Sequence, residues 1–523
     1  MADYLSTQSQ QRAELHKTIW SIADDLRGSV DGWDFKQYVL GILFYRFISE
    51  NITEYINKGE EEAGNEGFDF ATLSDEEAEY GREALVDDKG FFILPSELFQ
   101  NVKNRARQDD NLNETLERVF KNIEGSAVGQ PSEVDLKGLF DDVDVNSAKL
   151  GNTVEERNKK LTVLLEKIGS LDFGGEFQDN RIDAFGDAYE FLMNMYASNA
   201  GKSGGEFFTP QDVSELLARI TLIGRDDVSR VYDPCCGSGS LLLKFSKLLK
   251  DGKKYVSYYG QEKNLTTYNL CRINMFLHDI NFNKFDIALG DTLADPAHWD
   301  DQPFDCIVSN PPYSIKWEGK KNASNINDPR FSPAGVLAPD SKADLAFTMH
   351  MLSWLATDGT AAIVEFPGVL YRGGAEAKIR KYLVSNNFVD TIIQLPKELF
   401  FGTSIATCII VLKKSKPTSD ILFINASDEC GREGTLNVLK PENIEKLIST
   451  IEKREEIEYF SKLVSNDEVI ENDVNLSVSS YVEEEDTREV IDIKELNKEI
   501  SEIVARQAEL RAQIDAIIAD LEA

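Results

Sequence analysis

The sequence predicts an α/β protein whose core is a mostly parallel, seven-stranded sheet between helical regions at the two ends of the chain. Short apolar runs alternate with amphipathic helical patterns between residues 171 and 415. This alternation is typical of a parallel sheet that helices cover on both faces. Residues 1–170 show helical periodicity without a strand-rich pattern, and residues 481–523 contain a heptad repeat of apolar side chains.

Composition narrows the class of protein before any motif is considered. The 523 residues are enough for about three domains. There is no run of about 18 consecutive apolar residues, so the sequence predicts no membrane span. The start of the chain is polar and lacks the pattern of a secretion signal. The six cysteines form neither a C-x-x-C pair nor a cluster with histidine, so we expect reduced thiols, no metal site and a cytoplasmic protein.

The chain is strongly acidic, with 91 Asp and Glu residues against 56 Lys and Arg residues and a formal net charge of −35. Such a surface should repel nucleic acid, because phosphate contacts from basic side chains supply most of the non-specific affinity. Either the substrate is not a nucleic acid, or another subunit supplies much of the positive surface. Lys316, Lys320, Lys321 and Arg330 form a local basic segment, which fits a nucleic-acid contact and a solvated loop equally well.

Residues 1–170 are predicted to form a helical domain. Apolar residues recur at helical spacing from Arg12 to Leu26 and again from Asp34 to Ile48. Asp34 follows Gly32-Trp33 and suits the N-cap of the second helix. We interpret this region as an interaction domain whose aromatic side chains belong to its core.

Residues 171–415 are predicted to form the sheet domain, with a helix over Arg181–Tyr196 and a glycine-rich turn at Gly201–Gly205 before the first strand. In a parallel sheet, ligands bind beyond the carboxyl ends of the strands. The predicted helices between strands cover Ser240–Leu249, Thr266–Leu277 and Asp344–Leu355, and the predicted strands cover Arg230–Tyr232, Tyr255–Gly260, Asp286–Leu289, Phe304–Val308, Ala361–Phe366, Val389–Leu395 and Ala406–Leu412.

The carboxy-terminal part divides into an extension, residues 416–480, and a helix for subunit assembly within residues 481–523. The extension loses the alternation of strands and helices. A single apolar seam cannot bury itself, so the helix either pairs with a partner subunit or docks on its own chain, and we favour the partner. The seam positions follow steps of three and four residues: Ile493, Leu496, Ile500, Ile503, Gln507, Leu510, Ile514, Ile517 and Leu521.

A glycine-containing loop, DPCCGSGS at residues 233–240, follows the first predicted strand and opens the next helix. Glycines let a backbone approach a ligand closely, and a helix N-terminus presents free N–H groups. The loop does not match the dinucleotide fingerprint, because Leu242 stands at the third glycine position of that motif. The missing glycine disfavours a pyrophosphate ligand.

Acidic residues follow three successive predicted strands, at Asp233, Glu262 and Asp291. Asp233 can place a carboxylate near a cationic ligand. Glu262 stands where a ribose diol binds in nucleotide-binding folds, and Asp291 can accept a hydrogen bond from an adenine amine. An adenosine ligand with positive charge fits these acids, and S-adenosylmethionine meets that description.

The fourth predicted strand ends at Asn310-Pro311-Pro312-Tyr313, a sequence suited to holding a planar amine such as that of adenine or cytosine. The Asn oxygen and the next carbonyl can accept both amine N–H bonds, which favours a pyramidal nitrogen with a free lone pair. The prolines stiffen the turn and have no N–H, while Tyr313 can stack on the base. Asn is not a Brønsted base, so the predicted effect is positioning and electrostatics. The alternative is a loop that carries these residues by chance.

Several motifs in this order resemble those of amino-methyltransferases with the gamma motif order: GEFFTP at 205–210, DPCCGSGS, GQE at 260–262, Gly290-Asp291 and NPPY. Others resemble the modification (M) subunit of type I restriction–modification systems, particularly its IC subclass. They are DGWDFKQYVLGILFYRFISEN near the start, FPGVLYRGG at 366–374, FGT at 401–403 and NLSVSSY at 475–481. The resemblance covers nearly the whole chain.

This resemblance implies a Rossmann-like methyltransferase sheet and methyl transfer from S-adenosyl-L-methionine to the N6 amine of adenine in DNA. The adenine must be extruded from the duplex, because its amine is paired inside it. By motif, the base would be held by Asn310, Pro311, Pro312 and Tyr313. The cofactor would be bound by Glu206, Phe207, Phe208, Thr209, Pro210, Gln211, Asp233, Gly237, Ser238, Gly239, Ser240, Glu262 and Asp291.

The resemblance also implies partners. In that family two M subunits flank a specificity (S) subunit that reads double-stranded DNA, and restriction (R) subunits add cleavage. A separate reader would account for the acidic surface of this chain. Two alternatives stay open from the residues: an amine methyltransferase acting on protein glutamine or RNA, and a non-catalytic assembly scaffold.

Overall fold

The computed structural model describes Lys17, Phe191 and residues 34–171, 209–225, 227–249, 256–400, 404–433, 436–483 and 493–522. Apart from Lys17 and Phe191, the predicted helices Arg12–Leu26 and Arg181–Tyr196 lie outside these residues, as does the turn Gly201–Gly205. The chain divides into two compact units, residues 1–482 and 483–523. The division into four domains that the sequence suggested stays a prediction.

The described residues between 34 and 171 are helical, as predicted, with short 3₁₀ turns between the helices. The first helix runs beyond its predicted end at Ile48 to Glu62, because apolar residues such as the fully buried Ile52 continue its inner face. The helices of this region are α1 (Asp34–Glu62), α2 (Asp75–Ala78), α3 (Arg82–Lys89), α4 (Phe99–Arg105), α5 (Leu112–Gly125), α6 (Glu133–Leu136) and α7 (Val154–Ser170).

A nine-stranded sheet forms the centre of the first unit. The strands are β1 (Arg230–Asp233), β2 (Ser257–Glu262), β3 (Phe285–Leu289), β4 (Phe304–Ser309), β5 (Leu355–Glu365), β6 (Val389–Gln394), β7 (Cys408–Lys413), β8 (Asp420–Asn425), a separate hairpin of β9 (Gly431–Glu433) and β10 (Leu436–Val438), and β11 (Ser461–Ser465). The order of strands in the sheet is β11-β8-β6-β7-β5-β4-β1-β2-β3. The helices are α8 (Gln211–Leu222), α9 (Ser240–Leu248), α10 (Leu265–Leu277), α11 (Asp344–Trp354), α12 (Ala375–Ser385), α13 (Pro441–Lys453) and α14 (Asn466–Glu471).

The predicted strand count of seven is wrong, although a strand lies at each of the seven predicted places. The two further strands, β8 and β11, come from the extension predicted for residues 416–480. They were missed because a hairpin and a helix separate them, so no strand–helix alternation marks them. The sheet is mostly parallel, as predicted. Strand β7 lies antiparallel between β5 and β6, and β11 lies antiparallel to β8 at the edge.

The helical region packs directly against α10, which follows the second strand. The ring of Phe276 on α10 lies 6.2 Å from that of Phe44 and 6.4 Å from that of Phe91, measured between centroids. The buried guanidinium of Arg272 donates to the backbone carbonyls of Val134 at 2.8 Å and Lys137 at 3.0 Å, in and just after α6. The α10 helix is therefore held both by the sheet and by the amino-terminal helices.

In the second unit, residues 493–522 of the described part form one helix, α15 (Ile493–Glu522), so the predicted carboxy-terminal helix is confirmed. The large apolar side chains of its described seam are exposed, from Leu496 to Leu521. Pairing of this seam in a coiled coil stays a prediction. Among the helices of the described residues, none is both long and apolar enough to cross a membrane.

Candidate active site

The carboxyl ends of β1 and β4 lie side by side, because these strands pair in parallel with Val231 opposite Cys306 and Tyr232 opposite Ile307. Strand β1 leads into the glycine-containing loop, and strand β4 leads into the NPPY turn. The predicted cofactor loop and the predicted base-holding turn are therefore neighbours at one edge of the sheet, where ligands of parallel sheets bind.

Asp233 joins the two motifs. It is fully buried, and its Oδ1 accepts hydrogen bonds from the Cys235 amide at 2.9 Å and from the Ser309 hydroxyl at 2.9 Å. Its other oxygen, Oδ2, is buried and has no hydrogen-bond partner. Burial raises the pKa of Asp233 to about 7, although both hydrogen bonds lower it. A buried carboxylate oxygen without a donor is a favourable place for a cationic ligand.

The loop after Asp233 has a conformation that requires glycine. Gly239 has a φ of +82°, and a Cβ there would lie 2.8 Å from the sulfur of Cys271. The buried amide of Asn274 on α10 donates to the Ser238 carbonyl at 2.9 Å and so fixes the loop. Burial raises the pKa of the Cys235 thiol well above its usual value, so it is not a reactive thiolate.

Glu262 closes the loop from the end of β2. Its two carboxylate oxygens accept from the Gly237 amide at 3.1 Å and from the Asn264 amide at 2.7 Å. Burial raises its pKa. Asp291, which follows β3, is less available than predicted, because its Oδ2 binds the Lys263 ammonium at 2.7 Å. A ligand amine at Asp291 would share that oxygen with Lys263.

Asn310 follows the last residue of β4 and is half-buried. Its Nδ2 donates to the Thr209 hydroxyl at 3.1 Å, and its Oδ1 accepts from the Tyr313 hydroxyl at 2.7 Å. Among the described residues, no group donates to the carbonyl of Pro311. The Asn310 oxygen that was predicted to accept a base amine is thus occupied by the tyrosine of the same turn.

The far end of the turn is anchored by Asp344. Ser314 has a φ of +52°, in the left-handed region, and its amide donates to Asp344 Oδ1 at 2.9 Å. Asp344 is buried at the start of α11, and its second oxygen has no partner. The nearby Glu365, at the end of β5, accepts from Thr348 at 2.9 Å. Burial, and then the charge of Asp344, raise the pKa of Glu365 well above its usual value.

The structure connects several of the predicted site residues through hydrogen bonds. Asp233 connects to the NPPY turn through Ser309, and Gly237 connects to Glu262. Ser240 begins α9, and Gln211 begins α8 directly after the N-cap residue Pro210. Both amide atoms of Gln211 are buried without a partner. Glu206, Phe207 and Phe208 lie outside the described residues.

The predicted basic segment is partly wrong. Lys316, Lys320 and Lys321 are exposed, but Arg330 is only 2% exposed. Its guanidinium donates to the Thr292 carbonyl at 2.7 Å, among other groups. Arg330 therefore serves the core of the sheet domain rather than a surface contact.

Sequence reasoning missed three residues that shape the site: Ser309, Asn274 and Asp344. Ser309 directly precedes the NPPY turn and could have been suspected as a link to a neighbouring strand end. Asn274 and Asp344 give no signal in the sequence, since each acts on a loop some thirty residues or more away.

Comparison with known families identifies two regions of the chain. The model of the N-6 DNA methylase family matches residues 180–490, and the model of the HsdM N-terminal domain matches residues 15–168.

Individual proteins of known type are similar over nearly the full length. The methylase subunit of the type I restriction enzyme MpnII from Mycoplasma pneumoniae is 51% identical over 98% of this chain and 97% of its own. That of MjaVII from Methanocaldococcus jannaschii is 30% identical over 99% of this chain and 85% of its own. A crystal structure of the methyltransferase subunit of a Streptococcus thermophilus type I restriction–modification system is 35% identical, with a TM-score of 0.82 over 90% of this chain and 100% of that one.

Proposed function

Because the chain belongs to the methylase subunits of type I restriction–modification systems, which are DNA methyltransferases, we propose that it uses S-adenosyl-L-methionine to methylate the N6 amine of a flipped adenine. The observation behind this proposal is the pairing of β1 with β4. It sets a cofactor-type loop and an amine-holding turn at adjacent strand ends, with Asp233 bonded to Ser309 between them. The two motifs are thus close enough to hold a donor and an acceptor of one reaction.

The residues of the loop fit S-adenosylmethionine. Asp233 Oδ2 is a buried acceptor without a donor, and the Gln211 amide is buried without partners. Both gain partners from a ligand that has an ammonium group and a carboxylate. Glu262 would bind the ribose hydroxyls with the lone pairs that its two backbone bonds leave free. When bound, the cofactor supplies a methyl group on a positively charged sulfur.

The NPPY turn supplies the grip on the base. Asn310 Oδ1 and the Pro311 carbonyl would accept the two N–H bonds of the adenine amine, and the ring of Tyr313 would stack on the base. For this, the Tyr313 hydroxyl must leave Asn310 Oδ1, where it is bonded at 2.7 Å. Thr209 keeps the amide in the correct orientation, because it accepts from Nδ2 and leaves the oxygen facing the turn.

The proposal extends to residues that have no structural description. Glu206, Phe207 and Phe208 complete the motif that ends at Thr209 and Pro210, and we assign them to the cofactor side. Because this motif, the glycine-containing loop, GQE, Gly290-Asp291 and NPPY follow one another in the chain, we assign the chain to the gamma motif order. Its assignment to the IC-like subclass rests on the motifs quoted above.

Product analysis tests the reaction. The purified chain is mixed with its specificity subunit, taken from the neighbouring gene, with double-stranded DNA and with cofactor carrying a labelled methyl group. Nucleosides from the digested DNA are then separated by liquid chromatography and mass spectrometry. We expect the label on N6-methyladenine. Label on cytosine, on RNA or on a protein glutamine would contradict the proposal.

We also propose that α15 pairs with a partner subunit in a complex of two M subunits with one S subunit, to which R subunits add. The acidic chain, with a net charge of −35, would rely on the S subunit for DNA reading. The exposed apolar side chains of the seam support this, Ile503 and Leu510 among them.

A pair of double variants tests the assembly. Ile503→Asp with Leu510→Asp puts charges on the seam, whereas Ala505→Asp with Ala512→Asp puts the same charges on the opposite face of α15. We expect the first pair to abolish co-elution with the S subunit on a sizing column and the second to preserve it. Equal elution of both would show that the seam is not the assembly surface.

A further inference from the structure

Three side chains cluster at the amino ends of β3 and β4, at the opposite end of these strands from the candidate active site. They are Asp286 on β3, and His298 and Asp301 in the segment before β4. Their potential ligand atoms all lie within 4.8 Å of one another. His298 is only 2% exposed, whereas the carboxylates of Asp286 and Asp301 are 60% and 37% exposed, so the cluster is open to solvent on its acidic side.

The hydrogen bond of the buried imidazole fixes its tautomer. His298 Nε2 lies 2.9 Å from the Gly260 carbonyl, and because a carbonyl only accepts, Nε2 carries the proton. In the neutral ring, Nδ1 then carries a lone pair and no proton. It faces Asp301 Oδ2 at 3.4 Å and Asp286 Oδ2 at 3.8 Å, and both carboxylates are also acceptors. When the ring is neutral, the Nδ1 lone pair and the two carboxylates converge on one point, whereas a protonated Nδ1 would donate to Asp301 Oδ2.

Within the part of the chain that the structure describes, the carboxylates of Asp286 and Asp301 are not paired with a lysine or arginine side chain. The Arg230 guanidinium approaches, but it donates to the backbone carbonyl of Asp301 and not to its carboxylate.

We propose that His298 Nδ1, Asp286 and Asp301 bind one divalent transition-metal ion, such as Mn²⁺ or Zn²⁺. One imidazole nitrogen with two carboxylate oxygens is a ligand set that these ions accept, with the remaining positions open to water. A metal-binding histidine typically donates its other N–H to a backbone carbonyl, which orients the ring. His298 makes that bond to Gly260.

Through His298, a metal ion at this site would be linked to β2, the strand that ends at Glu262. Gly260 lies in β2 two residues before Glu262, and the same stretch is fixed by the Gln261 amide, which donates to the Asp295 carbonyl at 2.8 Å. An ion at the cluster would thus join β3 and the segment before β4 to the strand that presents Glu262. The cysteine spacing used for the sequence prediction could not detect it, because no cysteine takes part.

Metal titration of the full chain tests the proposal. The protein is purified without a histidine tag, stripped with a chelator and titrated with MnCl2, while the electron paramagnetic resonance signal of free Mn²⁺ reports the unbound ion. We expect one Mn²⁺ per chain, displaced by ZnCl2 and not by equimolar MgCl2. Asp286→Asn and Asp301→Asn should each weaken binding by at least about tenfold. Asp300→Asn, which changes a neighbouring exposed acid outside the cluster, should have no effect.

Two results would overturn the proposal. The first is the absence of saturable Mn²⁺ or Zn²⁺ binding, or binding that both cluster variants retain unchanged. The second is a nitrogen NMR spectrum of the metal-free protein that shows both ring nitrogens of His298 protonated at neutral pH and unchanged by either ion. The cluster would then be an ion pair between an imidazolium and two carboxylates. Neither result would bear on methyl transfer, which uses the opposite end of the sheet.

Discussion

The two halves of the candidate active site differ in whether their polar side-chain atoms have hydrogen-bond partners. On the cofactor side, Asp233 Oδ2 and the Gln211 amide are buried with no hydrogen bond. On the base side, both functional groups of Asn310 are bonded within the chain, to Thr209 and Tyr313. The predicted cofactor side therefore has polar atoms that a ligand could bind, whereas the acceptor of the predicted base side is already bonded to its own tyrosine.

This difference gives an order to the two binding events. Under the proposed assignment, a cofactor would satisfy groups that are costly to leave buried and unpaired, so its binding would be favoured before DNA arrives. A base must instead compete with the Tyr313 hydroxyl for the Asn310 oxygen. Part of the free energy of binding the DNA would then be used to break the Tyr313–Asn310 bond, in addition to the cost of extruding the base.

The largest effect on methyl transfer is expected from removing the side-chain amide of Asn310. Asn310→Ala should lower kcat for methyl transfer by at least about a hundredfold, because the positioned acceptor for the amine is lost. Its cofactor affinity, measured by calorimetry, should stay within about twofold, because no cofactor group relies on Asn310. A matching loss of cofactor affinity would show that the two halves are not separate.

Two substitutions of Tyr313 separate stacking from closure. Tyr313→Ala should weaken DNA-dependent methylation by about ten- to a hundredfold, because base–aromatic stacking contributes about 1–3 kcal/mol. Tyr313→Phe keeps the ring and frees Asn310 Oδ1, so the KM for DNA should fall by a few-fold with kcat preserved. If the two variants behave alike in steady-state assays, the hydroxyl does not close the base side.

The support of the turn by Asp344 is expected to have a moderate effect. Asp344→Ala removes the acceptor for the Ser314 amide and should lower kcat by about tenfold, because the left-handed turn after Tyr313 loses its anchor. Asp344→Asn retains an oxygen acceptor at the same place and should restore most of the rate. Equal rates in both variants would remove Asp344 from the set of positioning residues. Circular dichroism checks that both are folded.

The smallest effect is expected on the pH dependence of cofactor affinity, through Asp233. Burial raises the pKa of Asp233 to about 7, above the ordinary value for Asp, so the folded protein without cofactor loses stability as pH rises through about 7. A cationic ligand favours the ionised form. Cofactor affinity should therefore rise by up to about tenfold between about pH 6 and about pH 8. In Asp233→Asn this dependence, followed by calorimetry, should be absent, and a pH-dependent affinity in that variant would point to another group.

The fold was predictable where strands and helices alternate. The places of seven strands followed from apolar runs such as Phe304–Val308, because such strands are buried on both faces and need no period-two pattern. The strands β8 and β11 could not be found in the same way. Their pairing with β6 and with each other depends on contacts across more than thirty residues, which no local pattern records.

Within the site, the chemistry was easier to predict than the connections. The residue types of Asp233, Glu262 and Asn310 pointed to their strand ends, where the structure has them. The occupation of Asn310 by Tyr313 was not predictable, because a motif gives residue types but not which rotamers are bonded. The same limit applies to Asp291, whose bond to Lys263 depends on the path of a loop.

The bonds of Arg272 have a practical consequence for anyone who wishes to shorten this protein. A fragment that begins near residue 209 would remove the carbonyls of Val134 and Lys137 from the Arg272 guanidinium, and Phe44 and Phe91 from the ring of Phe276. The guanidinium could then bind water, but an exposed aromatic face on this helix would favour aggregation. A shortened protein for crystallisation should therefore lack the carboxy-terminal helix α15 and keep the amino-terminal third of the chain.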